Sequence, residues 1–156
     1  MSVSVQEADF DPGAEIAALT TDGGDAGAVA SFVGLVRRDK SAGDIEAMTL
    51  EHYPGMTEKA LAEIVAEAHR RWPLQAARVI HRIGRLLPGD RIVLVAVSSI
   101  HRQAAFAACA FIMDYLKTQA PFWKREETSS GSRWVDARES DDAALRRWTG
   151  DSAEKV

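Results

Sequence analysis

The sequence predicts an α+β fold in which helices cover a mainly antiparallel sheet, in the order αββαββαβα. Three observations carry that prediction. An amphipathic helical pattern follows Pro54-Gly55, two apolar runs are joined by a connection too short for a crossover, and the stretch from Gln103 to Thr118 is apolar nearly all round. The first needs a sheet to cover, the second needs antiparallel pairing, and the third needs enclosure between layers.

Each element follows from local chemistry. Asp11-Pro12-Gly13 before Ala14–Leu19 predicts a short helix with proline in its first turn, and Thr20–Gly27 is rich in turn formers. The run Ala28–Val36 (AVASFVGLV) predicts a largely buried strand closed by Arg37-Arg38-Asp39-Lys40. After the Ser41–Gly43 turn, Ile45–Tyr53 alternates imperfectly and is expected to be a second strand. Pro54-Gly55 ends it, and Thr57 is the expected N-cap of the next helix. Ala60, Leu61, Ile64, Val65, Ala68 and Trp72 form that helix's apolar face, with charged residues opposite and Pro73 as its stop.

Ala77–Ile83 and Arg91–Ser98 are strands joined through Leu86–Asp90, an antiparallel hairpin. The apolar helix follows, and its lack of a polar face calls for cover beyond its own sheet, most economically a second subunit. Beyond Pro121, Phe122–Glu126 leads to a polar turn at Thr128–Ser132, a strand at Arg133–Arg138 and a short helix at Asp141–Trp148. Residues 1–156 are expected to form one domain, with flexible N-terminal residues and a flexible 149–156 tail.

Composition narrows the function. A length of 156 residues with 46% apolar content fits a single core. A formal charge of −4 argues against general nucleic-acid binding. The start MSVSVQEADFDPG has neither the basic nor the apolar region of a signal peptide, and no run reaches membrane-spanning length, so a cytoplasmic protein is expected. Cys109 is the single cysteine, which rules out an internal disulfide and a paired-cysteine motif. Set among alanines in mid-helix, it is expected to be an inert core thiol. His52, His69 and His81 lack metal-ligand spacing, and neither metal nor cofactor is expected.

The informative residues are cations at element ends. Arg37 and Arg38 close a strand, and His101 and Arg102 sit at the N-terminus of the apolar helix, where free N–H groups and the dipole favour an anion. Lys117 lies in its last turn, Lys124 and Arg125 follow Pro121-Phe122-Trp123, and Arg133 and Arg138 belong to the late strand. Plainer readings exist for each: the macrodipole alone favours Lys117, and Lys124 can lie along Trp123 with its ammonium in water. If several converge, they make an anion pocket inside an acidic protein. An enzyme acting on anions, a non-catalytic dimeric binding module for a phosphometabolite or acidic peptide tail, and a Schiff-base enzyme using Lys117 all fit these residues.

The stretches Leu50–Leu61, Val79–Gly84, Pro88–Asp90, His101-Arg102, Phe111–Lys117, Ala120–Glu126 and Arg133-Trp134, in that order, closely resemble the large, catalytic subunit of molybdopterin synthase. The resemblance spans about Ala28 to Trp148. It implies an α/β hammerhead-type fold with a small antiparallel β subdomain. It also implies a homodimer in which each subunit binds a small ubiquitin-like sulfur-carrier subunit, giving a heterotetramer. The implied reaction inserts two sulfurs, from a thiocarboxylate on the carrier's C-terminal Gly-Gly, into cyclic pyranopterin monophosphate (precursor Z) to make the dithiolene of molybdopterin.

By matching motif, Lys117 and Lys124 resemble the catalytic lysines. Arg37, His101, Arg102, Arg125 and Glu126 resemble the substrate-pocket residues, and Arg138 matches an arginine that the neighbouring protomer contributes. Leu35 stands where related sequences often carry a basic residue, with Arg38 and Lys40 just after it.

The chemistry suits such a set. A protein whose only thiol is buried must receive its sulfur from elsewhere. A phosphorylated substrate and an anionic donor repel by about 1 kcal/mol at contact in water, and by more as water leaves. Fixed cations offset this, arginine through a planar fork that matches phosphate. Lys117 is the expected principal catalytic residue, its charge disfavoured by burial and neighbouring cations, with Lys124 holding substrate and Arg37, His101 and Arg102 clamping phosphate.

Overall fold

The computed structural model describes residues 2–21, 23–38, 44–135 and 139–149, without the side chains of residues 139–141. Among the described residues the elements follow in the order β1 Val3–Gln6, α1 Pro12–Ala18, β2 Ala28–Leu35, β3 Ile45–His52, α2 Met56–Arg71, β4 Leu74–Arg82, β5 Gly84–Leu86, β6 Arg91–Ser99, α3 Arg102–Gln119, β7 Phe122–Thr128, β8 Gly131–Val135 and α4 Glu139–Thr149. The predicted α+β class holds, but the strands form two four-stranded sheets, β1-β4-β6-β2 and β5-β3-β7-β8. Every pairing is antiparallel except β1 with β4. Residues Arg133–Val135 of the expected late strand are in β8, and the rest of it, residues 136–138, lies outside the described residues.

The main core lies between the first sheet and helices α2 and α3. Leu61, Ile64, Val65 and Ala68 of α2 meet Val79, Val93, Val95 and Val97 of the central strands and Ala105, Ala108, Phe111 and Ile112 of α3. β4 and β6 carry long apolar runs because one face meets α2 and α3 while the other meets Phe10 and α1.

Part of the cover that the apolar α3 needs comes from α4 of its own chain. Trp148 of α4 stacks edge-on against Phe111 at 5.5 Å and Trp72 at 5.7 Å, and donates through Nε1 to Asp114 Oδ2 at 2.5 Å. Phe106 is 67% exposed, and Ile100 just before the helix is 50% exposed.

Two local features differ from the sequence reading. Gly55, not Thr57, caps α2; its φ of 83° favours glycine, and its N–H donates to Glu58 Oε2. Thr57 is fully buried two residues further in, accepting from the Tyr53 N–H at 3.0 Å and donating to the Pro121 carbonyl at 2.9 Å. This hydroxyl ties the end of β3 to the turn before β7. The imperfect alternation of β3 has its cause in a bulge between Ile45 and Ala47, which brings Ile45 into phase with Met48 and Leu50.

Candidate active site

The two sheets and the C-terminal end of α3 enclose a cleft of about 510 Å³. Its walls are apolar side chains such as Val33, Met48, Leu50, Met113 and Phe122, and its polar groups are Arg37, His81, Lys117, Lys124 and Glu126. Four elements or element ends deliver these groups: the end of β2, β4, the end of α3 and β7.

Arg37 is aimed by the end of β2. A bulge between Gly34 and Leu35 turns the strand, and the buried Val36 then exchanges backbone hydrogen bonds with the Leu87–Asp90 turn, donating to the Asp90 carbonyl and accepting from Gly89. Leu35 itself is 55% exposed and also lines the cleft. Lys117 projects from the last turn of α3, where the helix dipole favours a cation.

In β7 the period of two places Phe122, Lys124 and Glu126 on the cleft face and Trp123 and Arg125 on the other. The Lys124 and Glu126 backbones pair with Leu50 and Met48 of β3 on one side and with Val135 and Arg133 of β8 on the other. Lys124 is therefore fixed at its base by two strands.

The electrostatics are mixed. Arg37, Lys117 and Lys124 bring positive charge to the cleft, and Glu126 answers with a carboxylate that is 95% buried. Glu126 Oε2 lies 3.6 Å from Arg133 Nη2 and accepts no hydrogen bond among the described residues. His81 is 5% exposed; its Nδ1 lies 2.8 Å from the Arg82 carbonyl and its ring stacks on Phe122 at 3.8 Å. Burial pushes its pKa down to about 4, and the nearby charges of Lys117 and His52 act in the same direction. Cys109 lies outside the cleft lining, and burial pushes its thiol up to about 11, so it is not a thiolate at neutral pH.

Of the expected site residues, then, Arg37, Lys117, Lys124 and Glu126 meet on one cleft. His101 and Arg102 do not join them. They line a second hollow of about 380 Å³ with Gly27, Ile100 and Gln103, at the opposite end of α3. Fifteen residues of helix separate Arg102 from Lys117, about 22 Å at 1.5 Å per residue. His101 is the N-cap of α3 but forms no side-chain capping bond, and both residues are exposed. Arg125 turns its guanidinium over the Trp134 ring at 5.7 Å. Arg138 lies outside the described residues.

Burial of Lys117 is also not found: in the single chain it is exposed. His81 is the cleft residue that sequence reasoning missed. Among the described residues, no three ligating side chains gather as a metal would require, and no helix is long and apolar enough to cross a membrane.

Comparison with known proteins bears on what this cleft does. Residues 5–119 match the family model described as MoaE protein. The chain is 63% identical, over 147 residues, to the molybdopterin synthase catalytic subunit of Ralstonia nicotianae, covering 94% of this chain and 84% of that one. Its fold superposes with a TM-score of 0.82 on the molybdopterin biosynthesis MoaE protein from Burkholderia ambifaria, at 57% identity over 95% of this chain and 97% of that one. At 18% identity it shares a fold, TM-score 0.74, with a chain from the complex of subunits 1 and 2 of molybdopterin-converting factor from Helicobacter pylori, covering 88% of this chain and 92% of that one.

Proposed function

As the chain belongs to the MoaE family of molybdopterin synthase catalytic subunits, enzymes that transfer sulfur in making the molybdenum cofactor, we propose that transfer takes place in the cleft between the two sheets. The observation that carries this reading is the convergence of Lys117 and Lys124, from a helix end and a strand, on one cavity with Arg37. Binding-module and Schiff-base readings of the same cations find no support in the family.

The reaction brings together two anions, the phosphate of precursor Z and the thiocarboxylate tail of a ubiquitin-like carrier. Arg37 and Lys124 offset their repulsion and hold the substrate. Lys117 is the principal catalytic group, stabilising charge at the carbon that receives sulfur or at the link to the carrier. The buried Glu126 oxygen, which accepts no hydrogen bond among the described residues, is a ready acceptor for N–H groups of a pterin. No side chain of this protein serves as sulfur donor, in line with its single buried thiol. The carrier reading draws support from the Helicobacter pylori fold relative, which is named as a two-subunit complex.

His101 and Arg102 enter this scheme from a second protomer. At about 22 Å from Lys117 they cannot clamp the same phosphate in one chain, whereas a two-fold dimer can set the α3 N-terminus of one subunit against the cleft of the other. Arg138 is assigned to the same shared site, and Arg125 to its outer wall, held against Trp134. Closing the cleft with a partner would also desolvate Lys117. The domain assignment, one unit over residues 1–156, and a cytoplasmic location complete the reading.

The decisive experiment mixes the chain with a thiocarboxylated carrier and precursor Z and assays molybdopterin. Product is expected from the wild-type protein, and Lys117→Ala should abolish it while the oligomer persists. Substantial turnover by Lys117→Ala would refute the catalytic role.

A further inference from the structure

One titratable side chain of the cleft has no part in binding anions: His81. It stands on β4 one residue from the strand's end, held by two constraints. The Arg82 carbonyl can only accept, so the 2.8 Å contact places the ring hydrogen on Nδ1 and leaves Nε2 as an uncharged acceptor. Stacking on Phe122, at 3.8 Å and 19° between planes, sets the orientation of the ring. If space filling were its only task, a phenylalanine would stack as well without the cost of burying a polar ring. The cleft thus holds a neutral lone pair among charged groups.

Lys117 faces the same cavity, close enough for its charge to disfavour imidazolium, yet it is exposed and sits on a flexible four-carbon stem. We propose that His81 is a positioning residue for sulfur transfer: its Nε2 accepts a hydrogen bond from the Lys117 ammonium and turns that group into the cleft. This rests on the reading of Lys117 as the catalytic lysine. A carboxylate in this place would cancel the positive charge that anionic substrates need, and an imidazolium would have no lone pair and would repel the ammonium. Lys124 and Glu126 of β7 and Arg37 beyond β2 line the same cleft, and His52 of β3 is near enough for its charge to act on the ring, while the Arg82 guanidinium is taken up by the Glu7 and Arg91 carbonyls. Burial keeps the imidazole neutral through the working range, with a pKa of about 4.

Three substitutions separate this role from a structural one. His81→Gln returns an acceptor near the Nε2 position. His81→Asn keeps an N–H for the Arg82 carbonyl but loses the distal acceptor, and His81→Phe keeps only the stacking. With carrier and precursor Z, kcat should fall about tenfold or more in the Asn and Phe variants, the scale of a lost hydrogen bond to a charged group, with KM nearly unchanged. The Gln variant should recover most of it.

A second measurement needs no turnover, so it stands apart from the fate of the sulfur-transfer reading. The His81 imidazole, followed by NMR in the whole chain, should titrate near 4 and move upward in Lys117→Met. Equal rates in the Asn and Gln variants, or a His81 titration indifferent to Lys117, would overturn the proposal. If the Phe variant does not fold, the Asn and Gln pair still decides.

Discussion

A histidine buried in its neutral form makes the folded state sensitive to mild acid. His81 titrates at about 4 when folded, against 6.5 for an ordinary histidine, because burial penalises its charged form. The unfolded chain therefore takes up a proton that the native state does not. Stability is complete above about pH 6.5 and is lost as the pH falls toward 4, on the order of 3 kcal/mol in all. Urea unfolding at pH 7 and pH 4.5 should show this loss, and His81→Gln should flatten it; a wild-type midpoint that is level across that window would contradict it. Asp9 acts lower on the scale. A hydrogen bond from Arg91 holds its carboxyl at about 2, so its contribution is present above 3.8 and lost as pH falls through 2. At this scale the sequence discloses much of the site, because Lys117 and Lys124 flank the apolar Pro121-Phe122-Trp123 segment and so mark two cations beside one hydrophobic wall. Strand alternation could also have turned Arg125 away from Lys124. His81 was hidden because its stacking partner, Phe122, lies 41 residues further on.

Helix α4 holds the outer side of α3 mainly through one side chain. Trp148 touches Phe111 and Trp72 and bonds Asp114, so Trp148→Ala should cost about 2–4 kcal/mol and leave α3 exposed, measurable as a lower unfolding midpoint and increased binding of a hydrophobic dye. At the other end of α3, a Cβ on Gly27 would sit 2.1 Å from the Ile100 carbonyl oxygen. The atom it meets is backbone, so Gly27→Ala should destabilise by about 1–3 kcal/mol and displace the segment that leads through His101 into α3. A variant as stable as wild type would show that the segment yields freely. The long elements were legible because each buries a periodic face. Two short strands were not. β1 pairs in parallel with β4 through Val3 and Val79, a contact across more than seventy residues with no turn to announce it, and β5 has only three residues. The division into two sheets left no local signal in the residues, since β3 pairs with β7 and β5, neither of them next to it in the chain; only the family resemblance implied a separate antiparallel subdomain.

For the whole molecule the testable feature is the division of labour between protomers. If a site takes Lys117 from one chain and His101 with Arg102 from its partner, Lys117→Ala and a His101→Ala/Arg102→Ala double variant should each be inactive alone. Mixed and allowed to exchange subunits, they should regain about a quarter of wild-type activity, since half the dimers are hybrids with one intact site of two. No recovery despite exchange would place all the groups in one chain. The overall charge of −4 around a cationic cleft also means that the attraction for an anionic tail is local, so added salt should slow carrier association. Helix α3 then acquires a mechanical meaning. It is a ruler with a reactive tip at each end, and both its length and its angular phase are fixed by what those tips must meet. One inserted residue would rotate Lys117 by about 100° relative to His101, so the helix could keep every hydrogen bond and still disconnect two sites that never touch.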